Sequence, residues 1–300
     1  MKKILITGAN GLLGQKLVVD FSKWNSVLAT GKQNRFAIKD KQFFYQTLDI
    51  TDKKQVQTVI GDFRPELIIN AAAFMAVDAC EEQKELAWEV NVEGVKNLLE
   101  ESLKYEIKFL QISTDYIFDG KNGPYSEEDR PNPVNYYGGT KLQAEEILQD
   151  SEIQYLIIRS NVIYGKATKM KKNFFLWVYE NLRQKKQIKV VTDQFNNPTL
   201  ADNLSILILE ATERNSAGIL NLAGTEYLSR YDFAVKIVQQ FDLNRNLIKP
   251  VTTPELEQKA ARPLRGGLKI DKAQKILSTP FFSVTEGLEF LKKKIRDDSA

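Results

Sequence analysis

The sequence predicts an α/β protein: a Rossmann-type doubly wound parallel sheet, with a smaller C-terminal α/β region for substrate. Three observations predict it. First, the short apolar run Ile4-Leu5-Ile6 enters a turn with glycines at 8, 11 and 14, and Leu12, Leu13, Leu17 and Val18 then recur at helical spacing. Second, strand-length apolar runs alternate with helix-length amphipathic segments as far as Arg159, the pattern of a parallel sheet wound on both faces. Third, two of the strand ends carry small or hydroxylated residues, Asn70-Ala71-Ala72-Ala73 and Ser113-Thr114. In an open parallel sheet, ligands bind at the carboxyl ends of the strands.

The opening stretch is a strand, a glycine turn and a helix. Such a turn lets backbone approach a pyrophosphate, and the helix N-terminus offers N–H groups and a positive dipole end. Ser26–Thr30 reads as the second strand. An acid at its end would bond an adenosine 2′-hydroxyl, but Gly31-Lys32-Gln33-Asn34-Arg35 follows instead. Lys32 and Arg35 therefore favour NADPH, with NADH as the alternative. Phe43–Leu48 is the third strand. Thr51 and Asp52 suit a helix cap, with Val56, Val59 and Ile60 on the buried face. Leu67–Ile69 is the fourth strand. Glu81–Tyr105 reads as one long helix with a stripe of Leu86, Val90, Val95, Leu98, Leu99 and Leu103 and with Asn91 beside it. Ile107–Ile112 is the fifth strand, Asp119–Pro133 a loop rich in turn formers, and a helix starts near Tyr136.

Glu152–Arg159 gives a sixth strand. Helices are then expected near Phe174–Lys185, Ala201–Glu213, Tyr231–Phe241 and Phe282–Ile295, with strands near Ile188–Val191 and Ile219–Leu222. The expected division is a cofactor domain over 1–160, to which about 198–223 returns, and a mainly substrate-binding domain over 161–300. The basic residues Lys166, Lys169, Lys171 and Lys172, and the tail Lys292–Lys294, read as solvated faces.

Composition bounds the function. The 300 residues are 43% hydrophobic, enough for a substantial core, and the net charge of +3 is too small to argue for nucleic acid. Cys80 is the single cysteine, which excludes an intrachain disulfide and fits a reducing compartment. No signal peptide and no apolar run of membrane-spanning length is evident, so the expected location is the cytoplasm, with no membrane partner. Histidine is absent, which excludes Ser-His and Cys-His devices and the usual zinc sites; no metal is expected. Proton transfer must use Tyr, Lys, Asp, Glu or a hydroxyl.

Tyr137 and Lys141 lie four positions apart, on one face of a helix. An ammonium beside a phenol lowers its pKa, which lets Tyr exchange a proton near neutral pH. A hydroxyl at a neighbouring strand end completes the set by holding a carbonyl oxygen. Tyr136 has no lysine at the required spacing.

These residues, with Thr7–Gly14, Asp49–Asp52, Asn70–Asp78, Asn91–Gly94, Ser113–Gly120 and Tyr137–Leu142, resemble the extended short-chain dehydrogenase/reductase family over nearly the whole chain. Within it they resemble the dTDP-4-dehydrorhamnose reductase branch. The resemblance implies an NADPH-dependent oxidoreductase acting on a nucleotide-linked 4-keto-6-deoxy sugar. It puts Thr114, Tyr137 and Lys141 in catalytic places. The implied cofactor set is Gly8, Asn10, Gly11, Leu12, Leu13, Gly14, Asp49, Ile50, Ala71, Ala72, Ala73, Asn91, Tyr137 and Lys141, joined by Lys32 and Arg35. The implied substrate set is Thr114, Asp115, Tyr116, Asn196 and Arg262. Arg262 would meet the diphosphate; the plain alternative is a surface pair with Glu255 or Glu257. A homodimer is left open.

Two segments depart from the family: Asp193–Thr199 lacks its usual glycine, and Leu264-Arg265-Gly266-Gly267 replaces its usual Asn-Ser. Both touch the substrate side. Two alternatives stand beside the reductase. A dehydratase or epimerase of this fold is one, although dehydratases place an Asp-Glu pair where Asp115-Tyr116 stands. A non-catalytic cofactor-binding regulatory subunit, as in the β subunit of methionine adenosyltransferase, is the other.

Overall fold

The computed structural model describes residues 1–38, 42–170 and 172–297. Lys171, from the basic run, lies outside the described residues. In chain order the first half contains β1 (Lys3–Thr7), α1 (Leu12–Ser22), β2 (Ser26–Gly31), β3 (Phe43–Thr47), α2 (Lys53–Phe63), β4 (Leu67–Asn70), α3 (Val77–Glu82), α4 (Lys84–Trp88), α5 (Gly94–Lys104), β5 (Lys108–Thr114), α6 (Tyr136–Gln149) and β6 (Tyr155–Ser160). The second half contains β7 (Ile163–Tyr164), α7 (Phe174–Arg183), β8 (Ile188–Val191), β9 (Phe195–Asn196), β10 (Thr199–Leu200), α8 (Ala201–Glu213), β11 (Gly218–Asn221), β12 (Leu228–Ser229), α9 (Arg230–Phe241), β13 (Ile248–Val251), α10 (Asp271–Ile276) and α11 (Val284–Asp297).

Seven parallel strands form the central sheet in the order β11-β6-β5-β4-β1-β2-β3. The strand side chains alternate between two cores, as the pleat requires. Ile4 and Ile6 join Leu17, Val18, Leu204 and Leu207 on one face, and Leu5 joins Val56, Val95, Leu98 and Leu148 on the other. The order reverses between β1 and β4, which puts the switch point, and hence the crevice, over the ends of those strands. A third core gathers Tyr164, Phe175, Val178, Ile188, Phe233, Ile237, Leu288 and Leu291, from the elements beyond β6.

The stretch expected as one helix from Glu81 is broken. Gln83 takes a non-helical conformation between α3 and α4, and a π-helical turn over Glu89–Glu93 joins α4 to α5. The wider turn carries Asn91 inward to 1% exposure, and such turns concentrate at functional sites. Leu103, expected in the buried stripe, instead faces solvent, while its neighbour Ser102 turns in and donates to the Leu98 carbonyl (2.8 Å). β5 runs two residues beyond its expected end, because Ser113 and Thr114 still pair with Arg159 and Ser160 of β6. The two-residue strands β7, β9, β10 and β12 are too short to leave a periodic pattern.

Candidate active site

The glycine turn is shaped for close approach. Gly8 has φ +64°, and a Cβ there would lie 2.6 Å from the Ala71 carbonyl. A Cβ on Gly14 would lie 2.2 Å from Gly8 O, so α1 is packed directly against the turn. Gly11 caps α1 with no side-chain hydrogen bond, which leaves the helix N-terminus as a cradle for an anion. The Leu13 side chain belongs to the core, so Leu13 offers this cradle only its backbone. Asn10 ties the turn to the loop after β2: its amide donates to Gln33 Oε1 (2.8 Å) and Tyr45 Oη (3.0 Å) and accepts from Ala37 N (2.9 Å). Gln15, which the sequence reading did not single out, bonds Asn10 O (3.0 Å) and both backbone groups of Thr168 (2.8 and 3.0 Å). That clasp holds the segment after β7 beside α1.

At the end of β2, Lys32 is not an unpaired cation. Its ammonium lies 2.7 Å from Asp49 Oδ2, and the Asp49 carboxylate also accepts from Thr51 N (3.1 Å) and Thr51 Oγ1 (2.9 Å). The two charges meet because the loops after β2 and β3 are neighbours in the sheet. Arg35 is exposed on the same loop. Ile50 is a core residue packed against Gly94. Ala71, Ala72 and Ala73 leave β4 half-buried, and Ala72 N donates to Thr7 Oγ1 and Asn70 Oδ1 (both 3.3 Å).

Asn91 fastens that loop to α6. It accepts from Phe74 N (2.8 Å) and donates to Phe74 O (3.1 Å) and Thr140 Oγ1 (3.0 Å). Thr140 in turn donates to the Tyr137 carbonyl (2.8 Å). Asn91 is therefore held by protein groups that set the position of Tyr137.

Thr114, Tyr137 and Lys141 are all buried at the end of β5. The Thr114 hydroxyl stands against the Tyr137 phenol, and Tyr116 meets the Tyr137 ring edge-on at 5.9 Å. Lys141 Nζ donates to Ile112 O at 2.7 Å. Burial pulls Lys141 down to about 8, with the charge of Glu145 pulling the other way. Burial also pushes the Tyr137 phenol above its ordinary value, and the Thr114 hydroxyl opposes this. The expectation that Lys141 lowers the phenol is thus corrected: the ammonium is directed to the β5 backbone, and loss of solvent decides the phenol. A phenol that keeps its proton through neutral pH is suited to donate it. The adjacent Ser113 faces the other way and donates to Glu145 Oε1, so the two hydroxyls are not interchangeable.

Asp115, expected on the substrate side, accepts from Gly267 N (3.0 Å). Burial pushes its carboxyl up to about 6, against that N–H and the charge of Arg230. The two segments that depart from the family pack on each other: Phe195 N donates to Leu264 O (2.7 Å) and Gly266 N to Phe195 O (3.0 Å). A Cβ on Gly266 would lie 2.9 Å from Asp115 Oδ2, so glycine there lets the carboxylate approach. Asn196 is buried, and its Oδ1 has no partner among the described residues. Its neighbour Asn197 is the hub that bonds Gly224 O, Leu268 O, Leu268 N and Asn161 Nδ2.

Arg262 pairs with neither Glu255 nor Glu257. Its guanidinium is 2.9 Å from Asp78 Oδ1, donates to Ala260 O (2.8 Å), and the side chain is 8% exposed. Glu255 is held instead by the Thr252 amide and hydroxyl. Arg230 was missed. It opens α9, its guanidinium covers the Phe174 ring at 5.0 Å, and its charge reaches Asp115 and Tyr116. Nothing local in the sequence marks it. Glu145 and Arg159 were missed too, although Glu145 continues the helical spacing from Tyr137 and Lys141.

This fold and site define an NAD(P)-dependent oxidoreductase of the extended short-chain dehydrogenase/reductase class. The family model described as RmlD substrate binding domain matches residues 1–296. The chain belongs to that family. It is 32% identical to a dTDP-4-dehydrorhamnose reductase of Aggregatibacter actinomycetemcomitans, over 91% of this chain and 92% of that protein. The crystal structure of dTDP-4-dehydrorhamnose reductase from Bacillus anthracis, in complex with NADP, superposes with a TM-score of 0.85 at 29% identity, covering 98% of this chain and 99% of that one. The chain is also 28% identical to methionine adenosyltransferase 2 subunit beta of Rattus norvegicus, over 93% of this chain and 85% of that protein. Among the described residues, no helix is long and apolar enough to cross a membrane.

Proposed function

We propose that this chain reduces a nucleotide-linked 4-keto-6-deoxy sugar with NADPH, with dTDP-4-dehydrorhamnose as substrate and dTDP-rhamnose as product. The observation that carries the reading is the meeting of the Thr114 hydroxyl and the protonated Tyr137 phenol, with Lys141 one turn further along the same helix, at the sheet edge that also bears the glycine turn. The glycine turn, packed closely at Gly8 and Gly14 and followed by an α1 N-terminus with no side-chain cap, fits a dinucleotide pyrophosphate. Leu12 and Leu13 would hold it through the backbone N–H groups that open α1, the Gly11 N–H being already donated to Gly8 O (2.9 Å). Lys32 and Arg35 would meet the 2′-phosphate, and Ala71–Ala73 would border the nicotinamide half. NADPH, when bound, supplies the hydride.

The remaining steps belong to side chains. Thr114 donates a hydrogen bond to the C4 oxygen and stabilises negative charge there. Tyr137 gives its proton to that oxygen, and the new C4 alcohol results. Lys141, one turn along α6 with its ammonium on Ile112 O, would bond the nicotinamide ribose. Arg262 takes the diphosphate, and Asp115, Tyr116 and Asn196 border the sugar. Residues 1–160 with about 198–223 form the cofactor part, and the rest of 161–300 the substrate part.

The test is incubation with NADPH and dTDP-4-dehydrorhamnose, following loss of the reduced nicotinamide absorbance and appearance of dTDP-rhamnose by chromatography. Similarity to the methionine adenosyltransferase β subunit favours one other reading, a regulatory subunit that binds cofactor without turnover. NADPH binding with no consumption across a panel of 4-keto sugar nucleotides would turn the conclusion to that reading.

A further inference from the structure

Behind the proposed catalytic residues lies an ion pair that takes no part in the steps above. Glu145 is on α6, one turn after Lys141, and its side chain is 0% exposed; Arg159 is on β6, at 2%. Arg159 Nε donates to both carboxylate oxygens (3.1 and 3.2 Å) and Nη2 to Oε2 (2.7 Å). Nη1 donates to Glu127 O (3.2 Å), and the guanidinium covers the Phe118 ring at 5.4 Å. The remaining donor to Glu145 is the Ser113 hydroxyl, one residue before Thr114. Glu145 thus joins β5, β6 and α6 at one point.

Burying two charges is costly, and an apolar pair of the same volume often serves stability as well or better. An ion pair that also fixes register has a reason to be there. We propose that Glu145 is a positioning residue, which sets the Thr114 strand end against the Tyr137–Lys141 helix and supplies the counter-charge behind Lys141. The inference rests on the reductase reading for its consequence in turnover.

The charge argument follows from the surroundings of Lys141. On its own helix it has Tyr137 and Glu145. From β5 it meets the uncharged Ile112 carbonyl, and Arg159 on β6 stands behind Glu145. Asp115 and Cys80 act on Tyr137, and Glu81 bonds the Tyr136 amide. Glu145 is the charge that acts on Lys141, and it opposes the burial that pulls the amine down to about 8. Without Glu145 the ammonium loses its proton at lower pH.

Glu145→Gln alone strands a buried guanidinium and risks the fold. The informative variant is therefore Glu145→Gln with Arg159→Met, which removes the pair together. Lys141 is titrated directly by NMR of labelled side-chain amines, identified by comparison with Lys141→Arg. The expected result is a folded protein whose Lys141 titration moves down by about one pH unit or more, with the alkaline limb of kcat moving with it. An unmoved Lys141 titration, with kcat changed equally at all pH values or not at all, overturns the charge role. The titration needs no turnover, so it reports even if no sugar nucleotide is reduced. Ser113→Ala tests positioning separately: kcat falls about 10–100-fold, NADPH affinity is unchanged and the limb stays in place. Unchanged kcat in Ser113→Ala overturns that half.

Discussion

Tyr137→Phe is the perturbation that most directly tests the chemistry. Tyr137 is 9% exposed and its ring packs edge-on to Tyr116 at 5.9 Å, a contact that phenylalanine keeps. Its backbone carbonyl still accepts from Thr140, and Asn91 still holds Thr140. The lost hydroxyl faces Thr114, so the stability cost is that of one hydrogen bond, about 0.5–1.5 kcal/mol. The cost in rate is far larger. Removing a positioned general acid lowers kcat by about 10²–10⁴-fold, which corresponds to about 2.7–5.5 kcal/mol in the barrier. Turnover is measured as NADPH consumption with the sugar nucleotide saturating, and NADPH affinity by fluorescence titration. The expected variant is folded, binds NADPH within a few-fold of the parent, and is nearly inactive. Tyr136→Phe is the control: its ring lies under Lys84 at 5.4 Å and its amide, not its hydroxyl, bonds Glu81, so the effect is mild. Activity of Tyr137→Phe within a few-fold of the parent would refute the reasoning, because no other hydroxyl at this strand end combines the proton with the geometry.

Further outcomes follow from neighbouring groups. Thr114→Val removes a donor to the developing charge and lowers kcat/KM about 10²-fold or more, a larger effect than the loss of its capping bond to Tyr116 N, which costs about 0.5–2 kcal/mol in stability. Replacing Lys32 and Arg35 together with Ala raises KM for NADPH more than for NADH; equal changes would leave them as a solvated loop, Lys32 already being paired with Asp49. Arg262→Ala raises KM for the sugar nucleotide steeply and leaves NADPH affinity unchanged, and steady-state kinetics in both substrates separates the two. Asp115→Asn is read by pH. Burial raises the Asp115 carboxyl to about 6, above the ordinary value near about 4, so between these the folded chain binds more protons than the unfolded one. That contribution to stability is present at low pH and is lost as pH rises through about 6. Thermal melts should therefore show the parent losing stability relative to Asp115→Asn across that window, and parallel curves would contradict it.

The family and the local chemistry were legible in the chain because each rests on neighbours in sequence. A strand, three glycines and a helix follow one another within Lys3–Ser22, and what crowds Gly14 is the local backbone of Gly8 and Ala9, whereas what crowds Gly8 is the distant Ala71. Tyr137 and Lys141 share a helix face by spacing alone, and Asp52 caps α2 as a residue of its type does, bonding Lys54 N and Gln55 N. Partnerships across the fold were not legible. Arg262 meets Asp78 rather than a nearby glutamate because its segment folds back onto the start of α3, and Lys32 meets Asp49 because β2 and β3 are paired in the sheet. Asn91 turns inward because a π turn changes the helix register, which no regular period announces. The phenol of Tyr137 is set by burial rather than by its lysine, since Lys141 finds a carbonyl of β5 nearer to hand. The Ser113–Glu145–Arg159 junction joins three elements, and its charges are tolerated only because each meets the others out of water. Backbone propensity, side-chain spacing and helix capping are properties of a short segment, and the sequence by itself determined those. Desolvation and charge pairing depend on what the finished fold brings together, and only the tertiary structure decided them.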